Sequence, residues 1–183
     1  MEVKGTAVIP VVRFVQEKYK DRYDEWIKSL SADSANIMKT VMNSRWYPLK
    51  ESIIEPTQKV CDLFYAGKEA GALEMGSCSA DYGLKGVYKL FVQFGSPSFI
   101  ISKSSQILPT YYKDSVIEVF KETKNSVVVH ITKFPDIHRL LELRIAGWQK
   151  RSLEICGCKN VKMEITKSLT KGDPFTELVF NWD

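Results

Sequence analysis

The feature that most restricts this chain is a change of hydrophobic period near residue 112. Upstream, apolar side chains recur every three or four residues, the spacing of one buried helix stripe. Downstream, β-branched runs and alternation take over, as in strands with one buried face. A chain that is helical first and strand-rich later is an α+β chain, and its sheet is expected to be antiparallel.

The helical part reads as follows. Gly5–Pro10 resembles a short strand. From Val11 to Leu30 the apolar positions Val12, Val15, Tyr19, Tyr23, Trp26 and Leu30 form one stripe and predict one helix. Ser31 suits the cap of a second helix carrying Ile37, Met38, Val41 and Met42. Pro48 suits the first turn of a third, Pro56 interrupts it or starts another, and Gly67 is a natural stop. Residues 69–80 are rich in Ala, Gly, Ser and Cys, which favours close helix packing over space beside a cavity. Tyr88, Leu90, Phe91 and Phe94 predict a strongly apolar helix ended by Gly95. Ser96-Pro97 opens the next, with Phe99, Ile100, Ile101, Ile107 and Leu108.

Beyond Tyr111-Tyr112, the runs 116–120 and 127–131 flank Thr123-Lys124-Asn125 and predict a hairpin. Pro135 is expected to open a long helix striped by Leu141, Ile145, Trp148 and Leu153, which Gly157 stops. Val161, Met163 and Ile165 alternate with polar residues. Lys171-Gly172-Asp173-Pro174 is a turn, and 175–182 is the last strand. The expected architecture is therefore one domain over 1–183: helices over about 1–112, then about four antiparallel strands, two hairpins flanking one helix, over about 113–183. At 183 residues such a chain buries roughly 70% of its extended surface without disulfides or metal.

Charge excludes several partners. Lys plus Arg number 26 against 22 Asp plus Glu, and the densest charged stretch, 17–28, alternates in sign like a solvated helix face. Charge-driven binding to nucleic acid or a membrane surface is not expected. No apolar run approaches the ~18 residues that span a bilayer, and residues 1–10 do not read as a secretory signal. Four irregularly spaced cysteines make no disulfide framework, so a reducing cytoplasm is the expected setting. Cys156 and Cys158 are one half of an imaginable zinc site, with Cys78 and His130 as partners, but no Cys-x-x-Cys spacing supports it. His130, in a strand, and His138, at the start of a helix, read as structural. Nucleophile elbows, zinc-protease motifs, phosphate loops and dinucleotide fingerprints are absent, so an enzyme is not expected. Asp81, Tyr82 and Lys85 read as a surface turn rather than a polar pocket floor.

The aromatic set is the candidate site. Tyr88, Phe91, Phe94, Phe99, Tyr111, Tyr112 and Trp148 are expected to cluster where helices meet the sheet. If the helices stand off the sheet, they enclose an apolar ligand, with tyrosine hydroxyls as its few polar contacts.

The arrangement, with Val3-Lys4-Gly5-Thr6, Ala80-Asp81-Tyr82-Gly83-Leu84, Gly86-Val87-Tyr88, Phe94-Gly95-Ser96-Pro97, Tyr111-Tyr112, Ala146-Gly147-Trp148 and Lys171-Gly172-Asp173-Pro174 before Trp182, resembles one superfamily. It joins the haem-NO-binding (H-NOX) domains, the 4-vinyl reductase (hydrocarbon-binding) domains and the TRAPP vesicle-tethering subunits. The resemblance implies their fold and a sensory or ligand-binding role. It departs from the haem binders in two places. The helix expected over 97–108 has no histidine, the equivalent position being about Phe99. Nothing near His130-Ile131-Thr132-Lys133 matches the Tyr-x-Ser-x-Arg propionate clamp. Haem is therefore not expected, and no other cofactor is predicted. The Gly172-Asp173 turn carries no thiol, which removes the metal reading of the 4-vinyl reductase domains.

The expected function is a non-catalytic small-molecule-binding or sensory module for an apolar or amphipathic ligand. The alternative is a protein–protein interaction module, a homodimer or signalling partner, with Trp26, Trp46 and Tyr47 on the contact face. An atypical haem sensor using His130 or His138 ranks below both.

Overall fold

A computed structural model describes residues 1–84 and 106–183. Strand β1 (Glu2–Lys4) leads directly into helix α1 (Gly5–Lys18). The β-branched run at 5–10 is thus helical, not a strand. Val8, Val11, Val12 and Val15 fall on one helix face and are buried there, and that burial overrides their strand preference. The single helix expected over 11–30 is broken. The backbone leaves the helical region at Tyr19 (φ −131°), whose ring stacks on Phe64 with centroids 4.0 Å apart. A 3₁₀ turn, Lys20–Arg22, then feeds α2 (Tyr23–Ser29). Ser31 caps α3 (Ala32–Thr40) as expected, accepting a hydrogen bond from the Ser34 amide.

Pro48 does not open a helix. It ends β2 (Trp46–Pro48), which pairs antiparallel with β1 and puts Pro48 opposite Glu2. A π-turn, Lys50–Ile54, follows, then α4 (Glu55–Phe64) and α5 (Ala70–Leu84). Residues 106–111 are helical. The helices expected over 85–105 lie outside the described residues.

The second half follows the sequence reading closely. Strands β3 (Val116–Glu122) and β4 (Ser126–Lys133) form the first hairpin. Helix α6 (Arg139–Ile155) follows, then β5 (Lys162–Lys167) and β6 (Thr176–Asn181). The antiparallel sheet has the order β3-β4-β6-β5, so the hairpins join through β4 and β6. Together with the separate β1-β2 ribbon this gives an α+β fold with two antiparallel sheets among the described residues. Helix α6 starts four residues later than Pro135 suggests. Asp136 sits at φ 55°, which a right-handed helix does not admit, and the His138 ring instead caps α6 by accepting from the Leu140 amide.

Helix α6 is the centre of the molecule. Every residue from Leu140 to Gly147 is buried. On its sheet side, Val127, Val129, Ile131, Leu178 and Phe180 are at most 1% exposed. There the buried carboxylate of Glu142 accepts hydrogen bonds from the Ser168 and Thr176 hydroxyls. On its other side α6 crosses α5 at backbone contact. A Cβ placed on Gly76 would lie 2.1 Å from the Arg144 carbonyl oxygen, and one on Gly147 would lie 2.1 Å from that of Leu73. The small-residue stretch around 69–80 is there because two backbones meet. No helix among the described residues is long and apolar enough to cross a membrane.

Candidate functional site: a cavity among the helices

The α5–α6 crossing and the N-terminal end of α1 leave a cavity of about 850 Å³. Thr6, Ala7 and Pro10 of α1 form one wall. Gly76, Ser79, Tyr82, Gly83 and Leu84 of α5 form a second, and Arg144, Ile145 and Trp148 of α6 a third. Ile107, Leu108, Tyr111 and Tyr112 line it as well, and Asn43 reaches it from the loop before β2. The spacing of the α6 contributors is helical: Arg144 and Trp148 are one turn apart, so both face the same way.

Tyr111, Tyr112 and Trp148 are thus brought together as wall residues. Tyr88, Phe91, Phe94 and Phe99 lie outside the described residues. The location differs from expectation by one layer. None of the described lining residues comes from β3–β6. The seam between α6 and the sheet is filled by the apolar strand residues and the Glu142 hydrogen bonds, while the space lies on the helices' side of α6.

Two further sequence expectations need correction. Trp26 is not on a contact face: it is fully buried, and its indole N–H donates to the Pro56 carbonyl at 3.2 Å. Tyr47 is half-buried and its hydroxyl accepts from the Met42 amide. Of that trio Trp46 alone is exposed, with the Lys4 ammonium over its ring. Nor are Asp81 and Tyr82 in a surface turn: both lie in α5, and Tyr82 lines the cavity. Asp81 binds Arg151 at 3.0 Å, whereas Tyr82 lies under the Arg13 guanidinium at the cavity wall. Lys85 lies outside the described residues.

Arg144 is the wall residue that composition and pattern did not single out. It is 4% exposed, and burial pushes its guanidinium below the ordinary value. Among the described residues its one hydrogen bond goes from Nη1 to the Thr57 hydroxyl oxygen, 2.9 Å away. No carboxylate pairs with it among the described residues. Tyr112 is close enough to feel it: burial raises the phenol, and Arg144 opposes that rise. In the sequence its only signal was the four-residue spacing from Arg144 to Trp148; that the helix is buried all round over 140–147 is known only from the structure.

Among the described residues no group of three or more His, Cys, Asp or Glu side chains could hold a metal ion. Burial pushes the Cys156 thiol up to about 12, far from a ready thiolate ligand. His130 lies on the sheet's outer face, stacked between Phe120 and Phe175 at 4.2 Å each and bonded to Glu177 at 2.8 Å. His138 is held as the α6 cap.

No protein-family model matches the chain, and no curated protein matches it. Solved structures do. An H-NOX protein from S. oneidensis in the Fe(II)NO ligation state superposes with a TM-score of 0.74 at 11% identity, covering 98% of this chain and 99% of that one. The Fe(II) unliganded H-NOX protein from K. algicida gives 0.71 at 13% identity, covering 98% and 96%. A Cs H-NOX variant gives 0.69 at 15%, covering 98% and 96%. The chain has the H-NOX fold.

H-NOX structures are reported in iron-ligated states, so the cavity wall is compared with what a histidine-ligated haem needs. The chain's two histidines are the sheet-bound His130 and the helix-capping His138, and neither lines the cavity. No imidazole faces the space, so the wall does not fit a histidine-ligated haem.

Proposed function

We propose that this chain is a non-catalytic, small-molecule-binding or sensory module that holds an apolar or amphipathic guest in the helix-lined cavity, without haem. The observation that carries the reading is the cavity itself. Its volume falls in the range of small-molecule sites, and its wall is largely aliphatic and aromatic with a few polar groups: Thr6, Asn43, Ser79, Arg144 and the tyrosines. The H-NOX fold supports a sensory role.

The test is calorimetric titration of the protein with decanol and with decanoate, repeated on Ala7→Phe and Ser79→Phe, which fill the cavity from opposite walls. Saturable one-to-one binding by the unaltered protein, lost in either variant that keeps its circular dichroism, supports the proposal. Absence of saturable binding by decanol and by decanoate alike, or binding that both folded variants retain, overturns it.

A further inference from the structure

Among the described lining residues, Arg144 bears the cavity's one formal charge, and no Asp or Glu lines the space. A guanidinium stays protonated in proteins and offers five N–H donors in a planar fork. Here, among the described residues, one donor is engaged, by Thr57, and the residue is 4% exposed. Its neighbours Tyr112 and Cys61 are neutral groups whose ionisation burial opposes. A buried cation with no counter-ion is costly, and a fold keeps one most readily where a partner anion arrives from outside. The Tyr112 hydroxyl makes no hydrogen bond among the described residues, and Tyr112 lines the same cavity. The cavity therefore has an apolar body and one cationic, hydrogen-bond-donating spot.

From this juxtaposition we infer that the guest is an apolar carboxylate, its head group held by the Arg144 fork with the Tyr112 hydroxyl beside it, and its body lying against Leu108, Ile145 and Trp148. The inference rests on the binding role proposed above and adds the chemical class of the ligand. Carboxylate and guanidinium match two-to-two in geometry, so the contact orients the guest as well as holding it.

The experiment compares decanoate with decanol, equal in chain length and different in charge, on the unaltered protein, Arg144→Met and Arg144→Lys. The expected result is that decanoate binds about tenfold to a hundredfold more tightly than decanol, as for a charge-assisted hydrogen bond. Arg144→Met should erase that preference and leave decanol binding within about threefold, because the apolar wall is kept. Arg144→Lys, which keeps the charge and loses the fork, should fall between them and serves if the Met variant does not fold. Protoporphyrin IX, a planar dicarboxylate, is titrated in parallel: an Arg144-dependent affinity for it above that for decanoate identifies a planar guest, the reverse an acyl one. Equal binding of decanoate and decanol, or a preference that survives in the folded variants for every carboxylate tried, overturns the inference and leaves the binding role standing. Failure of all probes to bind overturns both.

Discussion

The α5–α6 crossing shapes one side of the cavity, and two glycines of α5 test it with opposite signs. Adding a methyl group at Gly76 sets a Cβ 2.1 Å from the Arg144 carbonyl oxygen, 2.8 Å from its carbon and 2.9 Å from its Cα. All three are backbone atoms, so no rotamer change relieves the clash, and the helices must part by about 1 Å along their contact. Overpacking of this kind costs about 3 kcal/mol at the upper end of its usual range. Replacing a helical glycine by alanine returns about 1 kcal/mol of backbone entropy. The net expectation is about 2 kcal/mol of destabilisation, a fall of about 4–8 °C in Tm for a chain of this size. A Cβ on Gly83, in the same helix, meets nothing within 4 Å. Gly83→Ala should therefore stabilise by a few tenths to about 1 kcal/mol. Denaturant melts of both variants under one set of conditions decide the matter. A Gly76→Ala variant as stable as the unaltered protein, or two variants shifted in the same direction, would refute the close crossing.

Further predictions concern buried polar groups. Gln149 is fully buried on α6 and neither of its amide atoms has a hydrogen-bond partner among the described residues. Gln149→Met keeps the volume and removes the unpaired amide, and should raise stability by about 1–3 kcal/mol in urea melts; a loss of more than about 1 kcal/mol contradicts the reading. On the sheet's outer face, hydrogen bonds from the Thr166 hydroxyl and then from His130 hold the Glu177 carboxyl below its ordinary 4.5. A depressed folded pKa contributes stability that is fully present above pH 4.5 and is lost as pH falls through the folded value. Melts of Glu177→Gln should show a flatter acid limb than the unaltered protein, and identical slopes below that pH exclude the coupling.

How much was legible in the residues depended on whether the deciding interaction was local. Alternation of Val127, Val129 and Ile131, and of Met163 and Ile165, placed both later hairpins and the helix between them. Those periods are set by one buried face and need no knowledge of the partner. Prolines were the weak point. Pro48 and Pro135 both read as helix openers, yet Pro48 closes a ribbon paired with the chain's first residues and Pro135 precedes a left-handed Asp136. In each case a distant contact or one backbone angle, invisible to spacing, set the boundary. At the site, the aromatic side chains Tyr111, Tyr112 and Trp148 were found because large rings signal burial by themselves. Arg144 was not, because a charge between Leu143 and Ile145 on a helix reads as solvent-facing until the glycine crossing with α5 is known. The layer holding the cavity was misplaced for the same reason. The sequence shows which faces are apolar but not which pair of them closes.

The central claim is that the space between α1, α5 and α6 receives a guest. The most direct measurement is crystallography of the protein soaked with an acyl carboxylate that carries bromine at its chain end, read at the bromine absorption edge. The account places one anomalous peak inside the cavity, on the apolar side of Trp148 and Ile145 and away from the Arg144 guanidinium. A bromine peak confined to the protein's outer surface, or none from crystals soaked to saturation, contradicts it.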